Sequence, residues 1–448
     1  MSVSIAGSSL ESIRQFAVPL TGSPGDYAPL LDMIGDASYV LLGEATHGTH
    51  EFYKARAEIT QQLLTQKGFT VIAWEADWPD ALRVHRYVRH VGDDRAAEES
   101  LRGFQRFPTW MWRNMDVLDL VEWLREHNAT VPKGRPRVGV YGLDLYSLHA
   151  SMNAVIAYLE EVDPEAAQEA RARYSCFEHF GNDPEAYGIT ASRHRSLSCE
   201  KEVVRQLAEL HLHAADFLQR DGKIAAEELF YAEQNAVVAR NAEKYYRAMY
   251  WGRINTWNLR DTHMADTLEN LMTHLQQQGE RPKAVVWAHN SHVGDARATE
   301  MGNQGELNVG QLMRERHPGQ CVVVGFTTYT GSVTAASDWG AAPERKRVRP
   351  ALEESYEVML HETEPPNFIL PIRDRPSLAR ELKRSHLERA IGVVYRPDTE
   401  RSSHYFQASL SQQFDAVIHF DETRAVEPLE RTTEWESGEL PETYPSGF

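Results

Sequence analysis

Short runs of apolar, largely β-branched residues recur along the whole chain, each closed by a polar residue or a glycine. They are Tyr39 to Leu42, Phe69 to Trp74, Val138 to Tyr141, Ala284 to Ala288, Cys321 to Phe326, Phe368 to Leu370, Ile391 to Tyr395 and Ala416 to Ile418. A strand that is apolar at successive residues, rather than alternate ones, buries both of its faces. That is the condition of strands in a largely parallel sheet covered by helices on either side. Between the first two runs Phe52, Ala55, Ile59 and Leu63 fall at helical spacing, and strand–helix–strand is the pattern of a right-handed crossover. The expected fold is therefore α/β, with a mostly parallel central sheet flanked by helices.

The middle of the chain breaks this rhythm. From about Ser151 to Gln278 strand-like runs disappear and helical stripes replace them: Met152, Val155, Ile156 and Leu159; Val203, Leu207, Leu210, Ala214 and Phe217; Leu229, Ala232, Ala236 and Ala239; Met264, Leu268, Leu271 and Leu275. This reads as a large helical insertion between the third and fourth core strands. The expected division is 1–150 for the first part of the α/β core, 151–279 for the insertion, a candidate lid, and 280–448 for the rest of the core. An acidic surface tail is expected from about Glu427. At about 150 residues per domain, 448 residues are ample for such a body.

Charge narrows the class of function. With 47 basic and 65 acidic residues the formal charge is −18. Nucleic-acid binders and proteins of anionic membrane surfaces need basic faces, so neither partner is expected. No window of about 18 apolar residues exists to span a bilayer, and the N-terminus lacks a basic stretch followed by an apolar run. The three cysteines, Cys176, Cys199 and Cys321, are far apart and read as thiols of a reducing compartment, so a cytoplasmic protein is expected.

In an open parallel sheet, ligands bind beyond the carboxyl ends of the strands. The first run leads into Gly43-Glu44-Ala45-Thr46-His47-Gly48-Thr49-His50-Glu51, and the second into Glu75-Ala76-Asp77. The third leads into Gly142-Leu143-Asp144, and the fourth into His289-Asn290-Ser291-His292. A lone carboxylate at a strand end is ordinarily a cap or a solvated loop residue. Acid–base side chains at the ends of successive strands point instead to a shared site. His47 is the leading candidate for a base, since imidazole takes a proton near neutral pH, and Glu44 lies close enough to hold its tautomer or to share a metal with it. Arg56, farther along the following helix, is placed to reach back to this site if the helix lies across the rim, to form a salt bridge with Glu75, or to do both.

Absent patterns exclude other designs. There is no Gly-x-Ser-x-Gly elbow, no Gly-x-Gly-x-x-Gly, no phosphate loop ending in Gly-Lys-Ser/Thr and no His-Glu-x-x-His helix. The pairs His47/His50 and His289/His292 leave a metal as an alternative, because zinc accepts histidine and carboxylate donors. The aromatic stretch Phe104 to Trp112, with Trp110 at its centre, is either core or the wall of a cleft for a large apolar ligand. His404 and Tyr405 follow the seventh run. With His50, Asp144, His292 and Trp110 they complete the candidate substrate contacts.

At these residues the chain resembles the erythromycin esterase family. The resemblance rests on Gly43-Glu44-Ala45-Thr46-His47-Gly48 with Glu51 and Phe52, then Arg56, Glu75, and Trp287-Ala288-His289-Asn290-Ser291-His292. Asn258-Leu259-Arg260-Asp261 with Met264, and Gly325-Phe326-Thr327-Thr328-Tyr329 with Gly331, extend it over about residues 30 to 430. The resemblance implies hydrolysis of the macrolactone ester of 14-membered macrolides, which confers resistance. It makes His47 the general base for water, with Glu44 and Glu75 orienting and polarising around it and Arg56 and His289 completing the site. No cofactor is implied throughout the family, and a divalent ion remains the alternative. Two further readings stand beside it: a metal-assisted hydrolase of another ester or amide, and a non-catalytic binder of a large apolar ligand.

Overall fold

In the computed structural model, which describes residues 3–181, 183–221 and 223–438, the strands in chain order are β1 (Val18–Pro19), β2 (Tyr39–Leu42), β3 (Val71–Asp77), β4 (Gly139–Asp144), β5 (Ala284–Trp287), β6 (Cys321–Ala335), β7 (Glu344–Val348), β8 (Asn367–Pro371), β9 (His386–Arg389), β10 (Tyr405–Ala408) and β11 (Ala416–Thr423). The chain divides into two units. One comprises Met1–Ile72, Arg86–Gly139 and Lys283–Phe448, the other Ala73–His85 and Val140–Pro282.

In the first unit the sheet runs β1-β8-β11-β6-β2-β5, with β7 on β6. Its central pairs β11·β6, β6·β2 and β2·β5 are parallel. The edge pairs β1·β8, β8·β11 and β6·β7 are antiparallel. The sheet is thus mixed, with a parallel core, in an α/β fold with many helices. Every residue of β2 and β5 is buried, as runs apolar on both faces require. The main-chain N–H groups of Thr70 and Val71 donate to the Lys283 carbonyl, which sets the start of β3 beside the start of β5.

One apolar run is not a strand. Ile391 to Tyr395 makes only isolated bridges, Thr46 to Ile391 and Ala336 to Val394, because its N–H groups go singly to different segments. The strands β9 and β10 form a separate two-stranded antiparallel sheet that hydrophobicity did not announce. The sequence His386-Leu387-Glu388-Arg389 hides a strand because it carries Glu388 and Arg389 into the interior, where neither is exposed. The acidic C-terminal stretch packs where it is described: Trp435 is buried and its indole N–H donates to Thr334 Oγ1 at 2.8 Å. The expected tail beyond Gly438 lies outside the described residues.

The second unit holds the ends of β3 and β4 and a helical layer running from Leu148–Val162 to Arg253–Gln277. Between β4 and β5 the described residues form no strand. The sequence stripes meet in its core, where Met152, Val155, Leu159, Val203, Leu207, Leu210, Phe217, Leu229, Ala236 and Ala239 are all buried. Asp163 and Asp183 each cap a helix that opens with proline, so the starts of these helices follow from local sequence. The cysteine reading needs correction: Cys176 and Cys199 form a disulfide within this layer, and Cys321 alone remains a buried thiol. Helical turns and loops over 23 residues bring the pair together, a convergence their spacing did not reveal. Among the described residues no helix is long and apolar enough to cross a membrane.

Candidate active site

In the first unit the site grows from the register of β2 on β5. Leu42 lies opposite Trp287 in this parallel pair, so Glu44 and His289, each two residues farther on, leave the sheet side by side. The N–H of Asn290 donates to the Glu44 carbonyl at 2.8 Å and ties the two strand ends together. The Asn290 amide in turn exchanges hydrogen bonds with the main chain of Phe326 on β6. Two glycines are required by close approach. A side chain at Gly43 would collide with the Asn290 amide, and one at Gly48 with the main-chain carbonyl of Thr334.

The turn between these glycines presents a relay. The fully buried Arg56 guanidinium lies over the rings of Tyr53 and Trp287, 4.4 and 4.6 Å from their centroids. Its Nη2 donates to Glu44 Oε2 at 2.7 Å. The other oxygen of Glu44, also buried, meets His47 Nδ1 at 2.9 Å. A carboxylate only accepts, so the His47 proton sits on Nδ1 and its Nε2 keeps a lone pair. The ion pair of Arg56 is thus with Glu44. The rings of His47 and His289 stand 4.8 Å apart, tilted by 45°. His289 Nδ1 faces Ser291, whose N–H lies at 3.2 Å and whose hydroxyl lies at 2.8 Å.

In the second unit Arg260 binds two further strand-end acids, Glu75 and Asp144. Its Nη2 donates to Glu75 Oε1 and to Asp144 Oδ2, both at 2.7 Å, and its Nε to Asp144 Oδ1 at 3.0 Å. Burial by itself pushes this guanidinium down, but Asp144, Tyr146 and Glu75 together hold it well above its ordinary range. Arg260 is part of the family resemblance, yet nothing in its spacing, 116 residues from Asp144 and 185 from Glu75, signals the triad. One turn along the same helix, burial pushes His263 down to about 4, so it is a neutral acceptor beside the Asn241 amide at 2.8 Å.

The other sequence candidates lie as follows. His50 begins the helix His50–Gln66, and its Nδ1 pairs with Asp116 at 2.9 Å, the bond that raises its pKa above the ordinary value. His292 is buried in the turn after His289, and Trp110 is buried edge-on to Phe107. His404 Nε2 accepts from the main-chain N–H of Arg396, and burial pushes its pKa down to about 4. The Tyr405 hydroxyl accepts from Arg389 Nε at 2.7 Å and from the Leu352 N–H at 3.2 Å. Trp110, His404 and Tyr405 therefore already serve the packing and polar network of the first unit. Among the described residues no three or more His, Cys, Asp or Glu side chains gather closely enough to hold a metal ion.

This geometry accompanies a match of residues 64–423 to the family model described as erythromycin esterase. The chain belongs to the erythromycin esterase family. It is 22% identical over 431 residues to a Bacillus subtilis (strain 168) protein named "Putative hydrolase YbfO", covering 91% of this chain and 89% of that one. It is 22% identical over 324 residues to the Escherichia coli "Erythromycin esterase type II", covering 69% and 73%. Two solved structures share the fold. A succinoglycan biosynthesis protein superposes with a TM-score of 0.76 at 22% identity, covering 95% of this chain and 99% of that one. A mutant erythromycin esterase in its open conformation superposes with a TM-score of 0.65 at 16% identity, covering 91% and 96%.

Proposed function

We propose that this family member hydrolyses the lactone ester of 14-membered macrolides of the erythromycin type, with His47 as general base and water as nucleophile. The observation that carries the reading is the Arg56–Glu44–His47 relay, which aims a bare imidazole nitrogen away from a buried ion pair. His47 Nε2 takes a proton from water as the oxygen attacks the ring carbonyl, and Glu44 stabilises the imidazolium that results. The C–O bond of the ring then breaks, the departing alkoxide takes up the proton, and a hydroxy acid leaves. Arg56 has no exposed surface and so acts on Glu44 rather than on a substrate oxygen. That leaves His289 as the donor towards the carbonyl oxygen or the alkoxide. General-base help supplies about 10²–10⁴ in rate, and positioning with oxyanion stabilisation supplies the remainder.

The test is incubation with a panel of 14- and 16-membered macrolides, read as a mass gain of one water. His47→Asn is expected to fold normally and lose turnover, and near-wild-type rates in that variant would remove His47 from the mechanism. A second reading, hydrolysis of another ester or amide, is favoured by the name of the Bacillus subtilis relative, a hydrolase without a stated substrate. Turnover of a non-macrolide ester with the panel untouched selects it. Activity that survives chelation rules out the metal-assisted version of either reading.

A further inference from the structure

The two facing imidazoles can divide the labour of hydrolysis only if their protons sit on different nitrogens. One ring must take a proton from water, and the other must offer a hydrogen to the carbonyl oxygen or departing alkoxide. A neutral imidazole carries a single N–H, and the partner of one nitrogen decides where it sits. On His47 the partner of Nδ1 is the Glu44 carboxylate, an acceptor, so the proton is on Nδ1. On His289 the partner of Nδ1 is the main-chain N–H of Ser291, which can only donate. The ring thereby caps the helical turn Asn290–Val293 that follows it.

We infer that Ser291 is a positioning residue: its N–H and its hydroxyl together occupy Nδ1 of His289 and fix the ring proton on Nε2. This rests on reading the His47–His289 pair as the hydrolytic site. Ser291 holds its place because its surroundings hold its main chain. Asn308 Nδ2 donates to the Ser291 carbonyl at 2.8 Å and also to that of Gly294, while the preceding N–H, of Asn290, is bound to the Glu44 carbonyl. The hydroxyl, at 2.8 Å, is the shorter of the two contacts to Nδ1, and it adapts by donating. Identical rings thus acquire opposite roles from a carboxylate on one side and a serine on the other.

The decisive measurement is nitrogen NMR of protein labelled at histidine, with the His289 signals assigned by their loss in His289→Gln. The expected wild-type pattern is an unprotonated, acceptor-type Nδ1 and a protonated Nε2 at His289, with the reverse at His47. Ser291→Ala should shift His289 towards a mixture of tautomers and lower kcat on erythromycin about tenfold with KM little changed, as loss of one hydrogen bond to the ring predicts. Ser291→Thr, which keeps the hydroxyl, should restore both. A wild-type His289 protonated on Nδ1 overturns the inference, whatever the activity. So does an Ala variant with unchanged tautomer and unchanged kcat. A protein that leaves erythromycin intact but shows the unprotonated Nδ1, with the Ala shift and Thr rescue, sustains the inference and sinks only the substrate.

Discussion

Glu388 should make the protein less stable as pH rises through neutrality, and Glu388→Gln should abolish that dependence. The side chain is fully buried on β9; its Oε2 accepts from Gln413 Nε2 at 2.6 Å, and its Oε1 has no hydrogen-bond partner among the described residues. Glu357 is equally buried: its Oε1 accepts from the Arg389 N–H and its Oε2 has no hydrogen-bond partner among the described residues. Burial first, and the charge of Glu357 second, push Glu388 up from its ordinary 4.5 to about 8, against the opposing bond from Gln413. The folded protein therefore keeps a proton here that the unfolded chain releases above pH 4.5. In that window the native state binds more protons, so unfolding becomes easier with rising pH, at about 1.4 kcal/mol per unit. The stabilisation is fully present below pH 4.5 and is lost as pH rises to about 8. Glutamine has nearly the same shape and does not titrate. The variant should therefore gain about 3 kcal/mol relative to the wild type between pH 5.5 and 8. Urea unfolding of both proteins across that range measures the difference, in which titrating groups away from Glu388 and Glu357 cancel. A difference that stays flat with pH, or one that shrinks, would refute the reasoning.

Arg56→Met keeps the stem between Tyr53 and Trp287 but leaves Glu44 buried without its cation. A loss of about 3–5 kcal/mol and a fall in kcat of about a hundredfold are expected, read by denaturation and steady-state kinetics. Gly48→Ala forces a Cβ against the Thr334 carbonyl on β6, so the turn carrying His47 must shift. The expected cost is about 1–3 kcal/mol with a matching fall in kcat, and a variant equal to wild type in both would show that the turn has room. Reduction should destabilise the helical layer by about 3 kcal/mol, since the Cys176–Cys199 bond closes a loop of 23 residues. Burial pushes the remaining thiol, Cys321, up to about 12, so it should resist alkylation until the protein unfolds. More than one thiol labelled in unreduced, unfolded protein would contradict the pairing.

The parts of the fold legible in sequence are those where neighbouring residues share one environment. The runs at Tyr39 to Leu42 and Ala284 to Ala288 are strands because each side chain along them is buried, and the stripe Met152, Val155, Leu159 is a helix face because each of its members is. The illegible parts are those where charge enters the interior. Strands β7 and β9 carry Glu, Lys and Arg, and no hydrophobic pattern marks them. In the site, Glu44 and His47 lie three residues apart and their bond could be read from one turn. The Arg56 connection needed the helix direction, and the grip of Arg260 on Glu75 and Asp144 needed the fold.

Sequence alone determined the α/β pattern, the helical stretch between β4 and β5, the strand-end acids and imidazoles, and, through their order, the family. Only the tertiary structure decided the partners: Arg56 with Glu44, Arg260 with Glu75 and Asp144, Ser291 with His289, Cys176 with Cys199. The reason is range. Burial of apolar surface is non-directional and averages over many neighbours, so it leaves a period in the sequence that can be read without coordinates. A hydrogen bond or buried ion pair is satisfied within about 3 Å by one particular atom, and chain separation says almost nothing about which atom that is. Which nitrogen of an imidazole carries its proton is the extreme case, because it is settled by the single group that faces it.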